Sequence, residues 1–302
     1  MPSSFDIHEV AAGVWAAIAP GTAGPAVSNA AIIDLGDKTV VVDTFMTMLA
    51  AQEMATEVQR LTGRAPFLVV NSHWHTDHVR GNSVFADASI VGTERMKELM
   101  IEDAPKTPEE FEEAATEMQQ VAAKLMAGAE TPEQRQTAAG TQALADALTA
   151  EVGSYRLTLP NVFIDDRMDV QGERPIMILS SGRGHTESDL FVHIPDGGVV
   201  VAGDLLWTGM HPKTDDGFPA LWAAVLDDLV ELNPATVVSG HGPVGSATDL
   251  SAMADYMRQL DAIVAAARAG DLEPESADPP PGSEDWHGLA RFRRSLALLV
   301  AQ

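Results

Sequence analysis

Apolar positions along this chain follow two rhythms. Short unbroken runs, Thr39–Val42, Phe67–Val70, Ile176–Leu179, Val199–Val201 and Thr236–Val238, have the length and β-branched composition of strands buried on both faces. Val14–Ala19 and Ala30–Leu35 read the same way, and Gly36-Asp37 is a hairpin-type turn signal before Thr39. The second rhythm is helical. A helix is expected from about Thr47 to Leu61, stopped near Gly63, and a short one over Val79–Phe85. Residues 93–153 carry no strand pattern; Phe111, Ala115, Met118, Ala122 and Leu125 recur at helical spacing. Thr107-Pro108-Glu109-Glu110 and Thr131-Pro132-Glu133-Gln134 each read as a capping box with proline at the first helical position. Two or three amphipathic helices inserted into an α/β body are the expectation there; lid, buttress and dimer contact all stay open as their role.

Strands return at 161–164, 168–170, 176–180, 189–194 and 198–202. A helix over 220–232, the strand 236–238 and a helix over about 247–269 follow. Pro279-Pro280-Pro281-Gly282 reads as a stiff linker inside a C-terminal tail, 271–302. In that tail Trp286, Leu289, Phe292, Leu296 and Leu299 form one apolar face that docks on the body or on a second copy. The whole, 1–302, is read as one domain.

The apolar runs end in chemistry. Phe67–Val70 leads into His73-Trp74-His75-Thr76-Asp77-His78. The run at 176–179 leads to Gly184-His185, that at 199–201 to Gly203-Asp204, and that at 236–238 to Gly240-His241-Gly242. Imidazole nitrogen and carboxylate oxygen are ligands that a borderline ion such as Zn²⁺ accepts. In an extended loop His73, His75 and Asp77 lean to one side, and His78 faces away unless the chain turns there. Four strand ends thus bring seven metal-ligand candidates to one rim: His73, His75, Asp77, His78, His185, Asp204 and His241.

This ordered set resembles the metallo-β-lactamase superfamily, with HxHxDH at 73–78, Gly-His-Thr at 184–186, Gly-Asp at 203–204 and Gly-His-Gly at 240–242. The resemblance implies a four-layer αββα sandwich, an α/β (α+β) fold carrying the helical insertion 93–153. It implies two Zn²⁺ per chain. His73, His75 and His185 would hold the first, Asp77, His78 and His241 the second, and Asp204 would bridge them. The implied activity is a dinuclear zinc-dependent hydrolase, in which a metal-bridging hydroxide cleaves a small carbonyl substrate. Ester, lactone or thioester come first and β-lactam second, with catalytic roles for Asp77 and Asp204. A mononuclear-iron, persulfide dioxygenase-like oxidoreductase is the alternative on the same fold. Asp43, closing its strand, is a candidate acceptor orienting a histidine or the loop, or else a turn former. His211, after Asp204, is a candidate substrate contact; Trp74, Trp207 and Phe218 either line a pocket or pack.

Composition narrows the picture. There is no cysteine, hence no disulfide framework and no thiolate ligand. Members of the superfamily that place cysteine where Asp204 stands therefore differ here, and the set is closer to the lactonase, glyoxalase II and thioesterase branches. Forty-four acidic against 19 basic residues give a net charge of −25, which repels phosphate backbones and argues against a nucleic-acid partner. Arg291, Arg293 and Arg294 are the one basic cluster, read as an anion contact or a solvated helix face. No stretch reaches the ~20 apolar residues of a membrane span. The apolar patch Val10–Ala19 lacks a preceding positive charge and reads as a strand, so the expected setting is cytoplasmic, with a small-molecule substrate and a possible homodimer.

Overall fold

The computed structural model describes residues 2–301, which form two compact units that meet between Ile164 and Asp165 in sequence. The first holds a seven-stranded sheet in chain order: β1 (Asp6–Ala11), β2 (Val14–Ile18), β3 (Ala30–Asp34), β4 (Thr39–Val42), β5 (Leu68–Val70), β6 (Ser89–Gly92) and β7 (Val162–Phe163). β1 to β4 form an antiparallel meander, and β4 to β7 run parallel. The patch Val10–Ala19 is thus not one strand. It breaks at Gly13, whose φ of 71° turns β1 back onto β2. Parallel neighbours need crossovers, and helices supply them. α1 (Met48–Thr62) joins β4 to β5, capped by the Thr47 hydroxyl accepting from Ala50 N and closed by left-handed Gly63. Met54 and Val58 of α1 pack on Ile32, Val41, Val69 and Ile90 of the sheet.

A single helical turn, α2 (Thr76–Val79), and a 3₁₀ segment, Arg80–Phe85, lie between β5 and β6. The turn therefore begins inside the histidine motif, three residues earlier than the helix expected at Val79. Three helices fill the segment between β6 and β7: α3 (Glu94–Asp103), α4 (Pro108–Gly128) and α5 (Pro132–Glu151). Thr131 and Gln134 form the full capping box at α5. At α4 only half of the expected box exists. The Thr107 hydroxyl accepts from Glu110 N, but the Glu110 carboxylate accepts from Lys106 N instead of the capping residue.

The second unit holds a five-stranded sheet ordered β12-β11-β10-β9-β8. Its strands are β8 (Arg167–Val170), β9 (Ile176–Gly182), β10 (Asp189–Ile194), β11 (Val199–Trp207) and β12 (Thr236–His241). β8 to β11 are antiparallel, and β11 pairs parallel with β12. β11 continues through Gly203-Asp204 to Trp207 instead of stopping near 202, with a register shift at Gly203 where φ is 54°. α6 (Pro219–Glu231) crosses from β11 to β12, and α7 (Ala247–Ala269) follows. The last helix, α8 (Leu289–Ala301), buries Phe292, Leu296 and Leu299 in the core of this unit, with Trp222, Met257 and Leu260. Leu289, expected on that face, stays 39% exposed. Among the described residues, no helix is long and apolar enough to cross a membrane.

Candidate metal centre

In the first unit, the ligand loop is built by the exit of β5. Asn71 and Asn82 exchange side-chain amide hydrogen bonds of 3.0 and 2.9 Å, and Thr44 Oγ1 donates to Asn82 Oδ1, which fixes both ends of the loop. His78 N donates to His75 O, and His78 O accepts from Thr44 N, so the chain does turn at the motif. Because of that turn, His78 joins the other histidines. Its ring lies 4.3 Å from that of His73, which in turn lies 4.7 Å from that of His75. His73, His75 and His78 are all buried, while the Asp77 side chain keeps 20% exposure.

Asp43 ties this loop to β4. Its carboxylate accepts from Ser72 N and Ser72 Oγ, both at 2.7 Å, and pairs with His78 Nδ1 at 2.8 Å. A carboxylate at Nδ1 selects the tautomer in which Nε2 carries the lone pair. That Nε2 lies 3.7 Å from Asp77 Oδ2, on the side a shared ion would occupy.

In the second unit, His185 follows β9, Asp204 lies within β11 and His241 ends β12. Asp204 presents Oδ2 to His185 Nε2 at 3.2 Å and Oδ1 to His241 Nε2 at 3.5 Å. All three are at most 3% exposed. Gly240 makes room for this: a Cβ there would lie 1.9 Å from Asp204 Oδ1. Trp207 pairs in register with His241 and stacks on its ring at 3.8 Å, while Trp222 meets the His185 ring edge-on. The His185 loop is closed by Asp189, which accepts from Thr186 N and Oγ1. Burial pushes the Asp189 carboxyl up to about 7 against the pull of those hydrogen bonds, with Asp204 adding to the rise.

His211 is buried too, but its Nδ1 partners the Tyr256 hydroxyl at 3.1 Å among Trp286 and Phe292. Burial, then the Arg291 charge, lowers its pKa to about 4. Trp74 packs against His75, and the Arg183 guanidinium sits over Phe218. Of the basic cluster, Arg291 donates to His211 O and lies over the Trp207 ring. Two contributors were not among the sequence candidates. Ser72 and Asp189 sit one and four residues from candidate ligand histidines, and that spacing was the only signal available. Arg291 was named only as part of the basic cluster; its contact with His211 spans 80 residues of sequence.

The donor chemistry fits a divalent ion. Nitrogen with oxygen donors and no thiolate suits zinc or iron. Within each unit the ligand atoms already converge: His73 with His75, Asp77 with His78, and His185 with Asp204 each lie within 4.8 Å.

Buried histidine and aspartate groups on a two-sheet scaffold with eight α-helices among the described residues define a metal-binding α/β protein. The chain belongs to the metallo-β-lactamase superfamily, whose family model matches residues 23–241 and whose members are generally metal-dependent hydrolases. It has the superfamily's fold. A metallo-β-lactamase from Pontibacter korlensis superposes with a TM-score of 0.59 at 17% identity, over 84% of this chain and 99% of that one. One from Erythrobacter litoralis, with β-mercaptoethanol in its active site, gives 0.59 at 16% identity over 85% and 97%. The DIM-1 metallo-β-lactamase gives 0.60 at 14% identity over 85% and 98%. No curated protein sequence matches the chain.

Proposed function

We propose that this chain is a dinuclear zinc-dependent hydrolase of a small carbonyl compound, an ester, lactone or thioester ahead of a β-lactam. One observation carries the reading: Asp204, buried, turns one carboxylate oxygen to His185 and the other to His241. A carboxylate so placed suits bridging two ions. In this reading His73, His75 and His185 would hold one zinc, Asp77, His78 and His241 would hold the other, and Asp204 would serve both. The absence of cysteine supports the lactonase, glyoxalase II and thioesterase side of the superfamily.

Zinc bound there supplies Lewis acidity toward the carbonyl and acidifies water to near neutral pH. The remaining work falls to side chains. Asp43 holds His78 in the tautomer with Nε2 outward. Asp77, the most solvent-open of the set, receives at its carboxylate the proton that the attacking water gives up and returns it to the leaving oxygen or sulfur. Trp207 and Trp222 wall off the imidazoles of His241 and His185, keeping bulk water from them.

Elemental analysis of protein purified without added metal or chelator tests the metal assignment. About two zinc ions per chain are expected. A single iron with little zinc overturns the reading and moves it to persulfide oxidation. A panel of lactones, thioesters and a chromogenic cephalosporin then ranks the substrates. His75→Ala and Asp204→Ala should each abolish turnover while circular dichroism stays that of the parent. Full activity in either variant removes the assignment.

A further inference from the structure

Beside the ligand loop, within the first unit, lies a cavity of about 500 Å³ that the hydrolase reading does not use. Phe111, Ile101, Leu157 and Tyr155 supply its apolar walls, and Lys106 and Arg156 stand at its rim. It shares Ala104, Tyr155 and Leu157 with a narrow crevice that runs to Trp74, Thr76 and Arg80. The volume lies in the ordinary range for a small-molecule site, about 300–1,000 Å³.

Arg80 is the unusual member. Its guanidinium sits 4.3 Å from the Phe111 ring centroid and 4.8 Å from that of Tyr155, two rings that stack on each other. Its Nε is buried without a hydrogen-bond partner. Glu151 acts on it only through space, since that carboxylate is engaged by Met48 N and keeps Oε2 unpaired. A mostly buried guanidinium with an unpaired Nε is costly, and its fork matches a carboxylate. Glu151 and Asp103, which lines the crevice, add negative charge nearby. They disfavour a dianion such as phosphate and leave a monoanion as the better guest.

We propose that this cavity, together with the crevice that leads from it to Arg80, binds a small amphiphilic monocarboxylate, its apolar body along Phe111, Tyr155 and Leu157 and its carboxylate turned toward Arg80 in the crevice. Binding stands apart from the hydrolase reading. Only its use rests on that reading: recognising the acid portion of an ester, lactone or thioester beside the loop that carries His73 to His78.

Calorimetric titration of the metal-free, full-length chain with 4-phenylbutyrate, and with its uncharged amide, tests the site without any turnover. Saturable binding of the acid, at least ~10-fold tighter than the amide, is expected from one charge-assisted pair. Arg80→Met should remove that preference, and Arg80→Lys should restore only part of it. Should the Arg80 variants fail to fold, Leu157→Glu at the 38% exposed rim position places a repelling charge without touching the core. It should weaken the acid at least ~10-fold more than it weakens the amide. Equal binding of acid and amide, unchanged binding in a folded Arg80→Met or in Leu157→Glu, or no binding to the parent each overturns the proposal. An idle substrate panel with intact phenylbutyrate binding would instead remove the hydrolase reading alone.

Discussion

At Asp43 the backbone takes φ 63°, a left-handed conformation that asparagine and aspartate tolerate better than other side chains. The conformation aims the carboxylate back at Ser72 and His78. Asp43→Asn keeps that backbone and the side-chain size but loses the charged acceptor. It should weaken zinc binding about 10–100-fold with little change in melting temperature, read by competition with a chromogenic chelator. Undiminished affinity would show that Asp43 serves only the turn. His211 gives a second test. Its pKa, near 4 in the fold against an ordinary 6.5, means that the unfolded chain takes up the proton first. Its contribution to stability is therefore complete above about 6.5 and is lost as pH falls through the window toward 4. Melting temperatures of His211→Gln should decline less between pH 7 and 4.5 than those of the parent. Parallel declines would reject this role. The seven ligand candidates were legible because a ligand type follows each apolar run within a few residues, directly behind a glycine in three of the four cases. The register of His78 was not. Its orientation depends on Thr44 and Asp43, more than 30 residues away, and alternation alone turned it away from the other three. Arg80 was silent for the same reason: its meaning comes from Phe111 and Tyr155.

Elements were easiest to read where sequence supplied both pattern and punctuation. α1 starts on a Thr47 cap and ends on Gly63, and α5 opens on the reciprocal Thr131–Gln134 pair, so their limits follow from local hydrogen bonding. β11 misled because glycine reads as a stop. Gly203 here bends a strand that continues, and the bend sets Asp204 between the histidines of neighbouring segments. β1 was overlooked because Asp6–Ala11 is half polar and lies exposed at the sheet edge. α8 shows what only packing decides. Its apolar face was plain, but whether it met this chain or another was open until Phe292 and Leu296 appeared in the core with Trp222 and Leu260. Phe292→Ala should therefore destabilise the chain by about 3–5 kcal/mol. Urea unfolding at several protein concentrations measures this. A loss below about 1 kcal/mol, far under the usual cost of a large buried aromatic, would mean that the helix is only loosely docked.

For the molecule as a whole, charge is what the fold leaves unbalanced. Twenty-five excess negative charges repel one another in the compact state. Several of the ion pairs are local, Arg60 with Glu57, Arg95 with Glu98 and Arg258 with Asp255, each three residues apart and exposed on at least one side. Pairs of that kind contribute ~0–1 kcal/mol and leave the longer-range repulsion in place. Screening acts in opposite directions on the two contributions: salt weakens these attractions slightly and the summed repulsion more, because the repulsive pairs outnumber them. At about 10 Å in 0.1 M salt the screening length falls below most separations across the surface. The melting temperature should accordingly rise as sodium chloride goes from low ionic strength to about 0.5 M, by a few degrees for a gain near 1 kcal/mol. The increase should be steepest below 0.1 M, where screening changes fastest. Chloride and nitrate should act alike at these concentrations, as screening depends on ionic strength and not on the anion. A flat or falling profile would mean that the acidic groups are spaced so that local pairs, and not net charge, set the stability of this chain.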